Sequence, residues 1–220
     1  MTAPTDPVAD QRLGDFLEAL DTEQPVPGGG AAAAVSAALA AGLTAMVVRL
    51  SLDRAKYADF ADLHAEALAA SDVARARFLE LADEDAAAYA AYRAARSMPR
   101  ETDAETELRE AATKDAARIA TKVPLEVVKA CQAQVELVDR CAGRTNLYVA
   151  SDLEVAALLL DSAARAAAAN VRVNLPSIGD EGYASAITAE LDQRLQGVQA
   201  TADRARERVS KGVLRKPEGE

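Results

Sequence analysis

The chain has 220 residues, of which half are apolar and about a quarter are charged, so it can bury a core as a single domain over residues 1–220. Its formal net charge of −10 argues against a surface for nucleic acid or for an anionic membrane, because either needs clustered Lys and Arg. An anionic ligand must therefore meet a local group of cations or backbone N–H groups.

Cysteine and histidine limit the chemistry further. Cys131 and Cys141 lack the spacing of metal ligands, and we expect both to be buried free thiols in a reducing cytoplasm. His64 is the sole histidine of the sequence, which excludes multi-histidine zinc sites and leaves no spare imidazole for a Ser/His/Asp triad. We expect His64 to lie on the surface.

The chain is predicted to be helical throughout, because alanine is abundant, aromatic residues are scarce and no convincing strand of period two is present. In chain order we expect helices at about 7–20, 31–50, 57–96, 101 onward, 151–174 and 182–211. The fourth should bend or pause at Val123-Pro124, since proline lacks an N–H. Ser151 and Glu154 form a predicted capping box for the fifth, and a frayed tail is expected over 212–220.

Three glycines, Gly28–Gly30, precede a second helix built almost wholly from small apolar residues. The apolar run is long enough for a membrane span, but its alanines and its interruptions by Ser36, Gly42 and Thr44 favour a core helix. The glycines fit neither phosphate fingerprint, because no strand precedes them and no G-K-[ST] follows. Glycine permits positive φ and close approach, and a helix start offers unpaired N–H groups, so a ligand carbonyl or carboxylate suits this position.

A carboxylate interrupts the apolar stripe of the third helix. Phe78, Leu81, Ala88 and Tyr92 recur at alternating three- and four-residue steps, and Asp85 occupies the missing step. A carboxylate there faces either a ligand cavity or a satisfying partner such as a tyrosine hydroxyl or a helix end, and periodicity alone leaves both interpretations open. Asp83 points to a different side of the helix.

The stripe of the fifth helix ends in two amides. Its apolar positions, continued at the same steps, reach Asn170 and then Asn174. The two side chains could hold a heterocycle through paired donor and acceptor contacts, or they could cap neighbouring backbone.

Five short motifs, in this order along the chain, carry a resemblance to a known family. They are Pro27-Gly28-Gly29-Gly30, Asp83-Glu84-Asp85 followed by Tyr89, Val123-Pro124-Leu125, Asn146-Leu147 with Ser151-Asp152-Leu153, and Asn170-Val171 with Asn174-Leu175. Together they resemble the cyclodeaminase/cyclohydrolase family of folate enzymes, from about Asp15 to Arg208. Relatives commonly carry Ser directly after the third glycine, where this chain has Ala31.

The resemblance implies an all-α antiparallel bundle of long helices that is dimeric and cytoplasmic. It implies Asp85 as the proton acceptor, with a folate beside the glycines and no metal, flavin or nicotinamide. The substrate-binding residues that it implies are Gly28, Gly29, Gly30, Asp83, Tyr89, Asn146, Asp152, Asn170 and Asn174. Lys56, Arg100 and Arg144 are candidates for holding the glutamate tail, because they lie beside the matched motifs.

Two reactions fit this resemblance. One is hydrolysis of 5,10-methenyltetrahydrofolate to 10-formyltetrahydrofolate, and the other is cyclodeamination of formiminotetrahydrofolate with release of ammonia. The absence of a formiminotransferase domain from this sequence favours the cyclohydrolase. A third possibility is a non-catalytic helical dimer that binds a folate-like ligand or a partner, since Ala31 removes a hydroxyl from the helix start.

Overall fold

The computed structural model describes residues 6–218, which form six α-helices and contain no β-strand. The helices are α1 (Leu13–Leu20), α2 (Gly29–Arg49), α3 (Ala61–Arg96), α4 (Asp103–Cys141), α5 (Ala150–Asn174) and α6 (Glu181–Ser210). The all-α prediction is confirmed. The predicted domain, 1–220, extends beyond the described residues at both ends.

Short 3-10 helices account for the differences at the predicted boundaries. They lie at Val8–Asp10, Ala55–Phe60, Leu147–Val149 and Leu175–Ile178. The first predicted helix is therefore divided into a 3-10 turn and α1, and the third begins with a 3-10 turn before α3. Each of the six predicted helices is present.

Helix α2 contributes many of the buried residues of the core. This helix packs against α3 and α5, while α4 packs against α3, α5 and α6. Small side chains such as Ala34 and Ala37, both fully buried, let the neighbouring backbones approach closely. Within residues 6–218, α2 is the one helix whose length and composition would suit a membrane span, and 61% of its apolar window is buried inside the bundle.

Helix α4 continues through Pro124 without a break. A proline inside a helix deprives the carbonyl four residues earlier of its partner, and here that carbonyl belongs to Ala120. Asn174 Nδ2 donates to the Ala120 carbonyl oxygen over 2.7 Å. A side chain from α5 thus replaces the missing hydrogen bond, and the predicted pause at Val123-Pro124 does not occur.

The predicted capping box at Ser151 is wrong. Helix α5 begins one residue earlier and follows a 3-10 turn, so Val149 occupies the N-cap position and no side chain caps it. A capping box is found instead at the start of α4, where Thr102 accepts from the Glu105 N–H and Glu105 accepts from the Thr102 N–H.

His64 is buried, with 1% of its surface exposed, so the surface prediction is wrong. Its Nε2 is 2.8 Å from the Arg144 carbonyl oxygen, which satisfies one ring nitrogen. Cys131 and Cys141 are free and buried as expected, and burial raises the pKa of both thiols.

Part of the segment expected to fray packs against the end of α4. The Arg215 N–H donates to the Gly143 carbonyl over 2.8 Å, and Arg144 Nε donates to the Lys216 carbonyl over 2.7 Å. Glu218 forms an ion pair with Arg140 at 3.0 Å. Fraying therefore does not extend over residues 215–218, and the last two residues of the predicted tail lie outside the described range.

Candidate active site

The Asp85 carboxylate lies against the first turn of α2. Gly28 occupies the N-cap position of this helix and has no side chain with which to accept a hydrogen bond. The Ala31 backbone N–H, one of the amides that a helix start leaves unpaired, donates to Asp85 instead. The interruption of the α3 stripe therefore meets a helix end, which is one of the two readings left open by the sequence.

The close approach of a neighbouring side chain explains the glycine at position 30. The backbone conformation of the triplet is ordinary and does not explain it. A Cβ at Gly30 would overlap the Asp85 carboxylate, whereas a Cβ at Gly29 would meet only Asn170 Nδ2, at 3.9 Å. Among the described residues, positive φ occurs at Asp53, Gly143, Gly179 and Gly212, so of the two properties that glycine permits the triplet uses close approach. Gly30 is glycine because Asp85 occupies the space above it.

Two opposing effects set the acidity of Asp85. Burial raises the pKa of its carboxyl group above the ordinary value for aspartate, and the hydrogen bond from the Ala31 N–H partly opposes this rise. The positive end of the α2 dipole also favours the ionised form. A half-buried carboxylate with a raised pKa is suited to accept a proton and then return it.

Asp83 serves a different part of the molecule. Its Oδ1 accepts from the Val8 N–H over 3.0 Å, which ties the N-terminal 3-10 turn to α3. It lies two residues from Asp85, on another side of the helix, as the periodicity predicted. In this structure Asp83 therefore binds the backbone of the N-terminal turn.

The two predicted amides of α5 separate into different roles. Asn170 lies beside Gly29, and its Nδ2 donates to the Ala166 carbonyl of its own helix over 3.1 Å. Asn174 uses its Nδ2 on Ala120, as described above. Asn170 thus joins Asp85 and the α2 start, whereas Asn174 caps backbone.

Three further predicted residues are not brought to Asp85. Tyr89 is 40% exposed, and no hydrogen bond joins its hydroxyl to Asp85 in the described part of the chain. Asn146 donates to the Leu50 carbonyl and accepts from the Tyr148 N–H. Asp152 lies on α5 about 27 Å before Asn170, at 1.5 Å per residue. Asn146 and Asp152 therefore lie at the other end of α2 and α5 in this chain.

The three cations predicted to hold an anionic tail lie in different surroundings. Arg144 is buried and donates to two carbonyls, and it forms an ion pair with Glu218 at 3.2 Å. Lys56 lies 5.7 Å from the centre of the Tyr57 ring, and that tyrosine contacts the Leu147 N–H. Arg100 lines a groove at the end of α3, whereas Arg144 lines a different groove that also contains Glu66 and Glu218.

Sequence reasoning missed most of the residues of that groove. Arg96, Arg109, Lys114 and Ser177 line it together with Arg100, and the Tyr92 hydroxyl is 2.8 Å from Ser177 Oγ. A signal was available, because Arg96 follows Tyr92 by one turn of α3 and is therefore its neighbour on the helix surface. In residues 6–218 no group of three His, Cys, Asp or Glu side chains is placed to hold a metal ion.

In this all-α fold, a half-buried carboxylate lies beside the unpaired amides of a glycine-rich helix start, and such an arrangement is a candidate site for proton transfer. The chain belongs to the formiminotransferase-cyclodeaminase family, whose sequence profile matches residues 12–193.

Three proteins of known name are similar to the chain. It is 34% identical over 202 residues to a methenyltetrahydrofolate cyclohydrolase of Methylorubrum extorquens, covering 91% of this chain and 95% of that protein. It is 29% identical to the formimidoyltransferase-cyclodeaminase of Gallus gallus, over 84% of this chain but only 35% of that protein. The crystal structure of a formiminotetrahydrofolate cyclodeaminase from Thermotoga maritima superimposes with a TM-score of 0.84 at 24% identity, covering 93% and 98% of the two chains, and shares the fold.

Proposed function

We propose that this chain is a folate one-carbon enzyme that hydrolyses 5,10-methenyltetrahydrofolate to 10-formyltetrahydrofolate. The observation that carries this proposal is the 34% identity to a cyclohydrolase of nearly the same length. The placement of Asp85 against the α2 start supports it, because the reaction needs one positioned proton acceptor.

Asp85 acts on both sides of a tetrahedral centre. Water adds to the cationic carbon that bridges N5 and N10, and Asp85 takes a proton from that water. The carboxyl group then returns the proton to N5 as the bond from carbon to N5 breaks, and the hydroxyl proton leaves to solvent as the formyl C=O forms. Proton transfer by a positioned side chain contributes about 10²- to 10⁴-fold to a rate.

The remaining side chains orient the ligand. A Cβ at Gly29 would meet only Asn170 Nδ2, at 3.9 Å, so the Gly29 backbone can approach the pterin or the one-carbon group. Asn170 keeps its side-chain oxygen for a donor on the ligand. Asp85 attracts the cationic substrate, and the approach of this cation lowers the carboxyl pKa, which burial had raised. Because burial raises the carboxyl pKa and the cationic substrate lowers it, Asp85 can both accept and release a proton during the reaction.

A turnover assay with the methenyl chromophore tests the proposal. Purified protein should remove the absorbance of 5,10-methenyltetrahydrofolate faster than buffer. Appearance of that absorbance from formiminotetrahydrofolate would instead establish the cyclodeaminase, which the name of the Gallus gallus relative favours. Binding of both folates without turnover would show a non-catalytic folate-binding protein.

We also propose that the helices form an antiparallel bundle that pairs as a cytoplasmic homodimer. The start of α2 lies beside the end of α5 at Asn170, and the residues after α2 contact Asn146 before α5, which supports an antiparallel arrangement of these two helices. The buried free thiols are consistent with a reducing compartment.

A further inference from the structure

One hydrogen bond joins the N-terminal segment to the helix that carries the candidate catalytic carboxylate. Asp83 Oδ1, on α3, accepts from the Val8 N–H over 3.0 Å, across 75 residues of sequence. The other hydrogen bonds that the structure describes for residues 6–27 stay within that segment. Asp83 is therefore the polar anchor of this segment on the described part of the bundle.

Apolar packing carries this attachment to the start of α2. Phe16 of α1 belongs to the buried core, and Val8 packs against that core. The N-terminal segment, the entry to α2 and α3 enclose a small cavity of about 60 Å³, whose lining includes Val8, Phe16, Val26, Pro27, Ala82 and Ala86. Pro27 directly precedes Gly28, the N-cap residue of α2. The wall of the cavity therefore leads straight into the helix start.

The start of α2 has no side-chain cap of its own. Gly28 offers no acceptor to the first amides, and the Ala31 N–H donates to Asp85. The distance between this amide and the carboxylate thus depends on where the chain before Gly28 is held. Asp83 and Asp85 lie in the same turn of α3 and face different sides. Helix α3 therefore holds the α2 start directly through Asp85 and indirectly through Asp83.

The Ala31 amide has no charged competitor in its effect on Asp85. Burial raises the pKa of the Asp85 carboxyl group, and the Ala31 N–H lowers it. Asn170 of α5 does not titrate, and Lys114 of α4 is directed to Gly179. On α3 itself, none of the titratable groups within one turn shifts this pKa, namely Asp83, Glu84 and Tyr89. The position of one amide therefore influences how readily Asp85 ionises.

We propose that Asp83 is a positioning residue, which holds the N-terminal segment and Pro27 against α3 and thereby fixes the α2 start against Asp85. The inference rests on the proposed proton transfer at Asp85. In this role Asp83 acts through the Val8 N–H and touches neither the substrate nor the reacting atoms. The role differs from the substrate contact that the family resemblance implies for Asp83.

Kinetics of two variants at position 83 test this role. Asp83→Ala removes the acceptor, so kcat should fall roughly ten- to a hundredfold, as for a misplaced catalytic group, with KM little changed. The acid limb of kcat/KM should move to higher pH, because the amide that favours ionised Asp85 is displaced. Asp83→Asn keeps an acceptor for Val8 and should restore both properties. A raised KM with normal kcat in Asp83→Ala, or an Asp83→Asn protein as impaired as Asp83→Ala, would overturn the inference.

Val8→Pro removes the same hydrogen bond from the donor side. Proline suits the backbone there, because Pro7 already has the extended conformation (φ −52°, ψ 145°) that precedes proline, and position 8 begins the 3-10 turn. The variant should reproduce the loss of kcat and the shifted acid limb of Asp83→Ala. The double variant should be no worse than either single variant, since all three lack one bond. Additive losses, or a normal acid limb in Val8→Pro, would mean that Asp83 acts by another route.

Ser71→Ala separates positioning from a general loss of stability. Gln134 Nε2 donates to Ser71 Oγ over 3.0 Å, and both side chains are buried. Ser71 lies on α3 about 21 Å before Asp85, at 1.5 Å per residue. This variant should melt at a lower temperature with kcat and the acid limb of wild type. The same shift of the acid limb as in Asp83→Ala would reduce the effect to stability and refute the positioning role.

Amide hydrogen exchange examines the α2 start without turnover. Residues 28–33 should exchange several-fold faster in Asp83→Ala and Val8→Pro than in wild type, and at the wild-type rate in Asp83→Asn and Ser71→Ala. Unchanged exchange at these amides in Asp83→Ala would overturn the inference. Absence of turnover by the wild type on both folates would instead refute the proposed function, and the exchange result would stand apart from it.

Discussion

At the scale of single residues, Asp85 and Gly30 form one unit, because the carboxylate fills the volume that any larger residue at position 30 would need. Asp85 also replaces the missing N-cap side chain of α2 by accepting from the Ala31 N–H. A helix cap and a proton acceptor can be the same carboxylate, provided that its pKa stays raised by burial.

Replacing Asp85 by Asn separates these two roles. Asn keeps an oxygen that can accept from Ala31 but cannot take a proton, so we expect normal folding and a fall in turnover of about two orders of magnitude or more. Asp83→Asn is the matched control, because its amide oxygen can still accept from the Val8 N–H, and it should lose far less. Steady-state kinetics of the two variants decide the matter, and an inactive Asp83→Asn with an active Asp85→Asn would mean that the wrong carboxylate was chosen.

The pH dependence follows from the raised pKa of Asp85. Only the ionised carboxylate accepts a proton, so activity should fall with decreasing pH earlier than it would with an exposed aspartate. The folded protein holds this proton more tightly than the unfolded chain does, so ionising Asp85 removes stability as pH rises from the ordinary aspartate range through the folded pKa. Asp85→Asn should therefore melt at a higher temperature than wild type at neutral pH.

Gly30→Ala and Gly29→Ala test the close approach at the helix start. The new methyl group at position 30 must displace the Asp85 carboxylate, and we expect about a hundredfold loss of kcat or more, as for a misplaced catalytic group. At position 29 the methyl group meets only Asn170 Nδ2, at 3.9 Å, which is an ordinary contact. Substrate affinity should then decide whether a ligand approaches there, because lost affinity at normal melting temperature indicates a ligand contact.

At the scale of helices, Asn174 supports α4 at its proline. Asn174→Ala leaves the Ala120 carbonyl without its 2.7 Å hydrogen bond, and an unpaired buried polar group costs about 1–3 kcal/mol. For a chain of this size the melting temperature should fall by roughly 2–4 °C per kcal/mol. Asn170→Ala is the control, since Asn170 donates only to its own helix, and it should retain stability while losing folate affinity. Equal melting temperatures would show that solvent satisfies Ala120.

The helices were predictable where a periodic pattern decided them. The stripe through Phe78 and Leu81 located the buried face of α3, and the same pattern showed that Asp85 points inward. Pairings between distant segments were not predictable: Asn174 meets Ala120 54 residues away, and His64 is buried because Arg144, 80 residues away, offers it a carbonyl. Such partners depend on packing, which single-sequence periodicity does not encode.

The candidate site residues were also predictable only where a local sequence pattern marked them. Gly30 and Asp85 were found because one lies in a glycine triplet and the other breaks an apolar stripe. Asn146 and Asp152 came from motif resemblance alone, and the structure places them at the far end of α5 from Asn170. The sequence could not separate the two reasons for the glycines, because close approach and positive φ leave the same residue type in the sequence.

At the scale of the whole molecule, α2 and α5 leave an apolar surface uncovered. Leu39 is 56% exposed and Leu158 46%, and Leu39 lines a cavity of about 510 Å³ between α2, α3 and α5. Contiguous exposed apolar surface is typical of an interface, so we expect a homodimer. Sedimentation at micromolar concentration should give twice the chain mass, and Leu39→Glu should give a monomer. Leu108→Glu, at an exposed site on α4, is the control, and a monomeric wild type would contradict the expectation.

The alanine-lined core has a thermal consequence. Ala34, Ala37 and Ala40 at the centre of α2 are fully buried, but each gives up little apolar surface to water when the chain unfolds. The heat-capacity change of unfolding grows with the apolar area exposed, so we expect a value below the usual ~12 cal/mol/K per residue. A small heat-capacity change flattens the curve of stability against temperature. Scanning calorimetry should therefore find a protein whose unfolding enthalpy varies little with temperature, and whose stability persists over a wide thermal range.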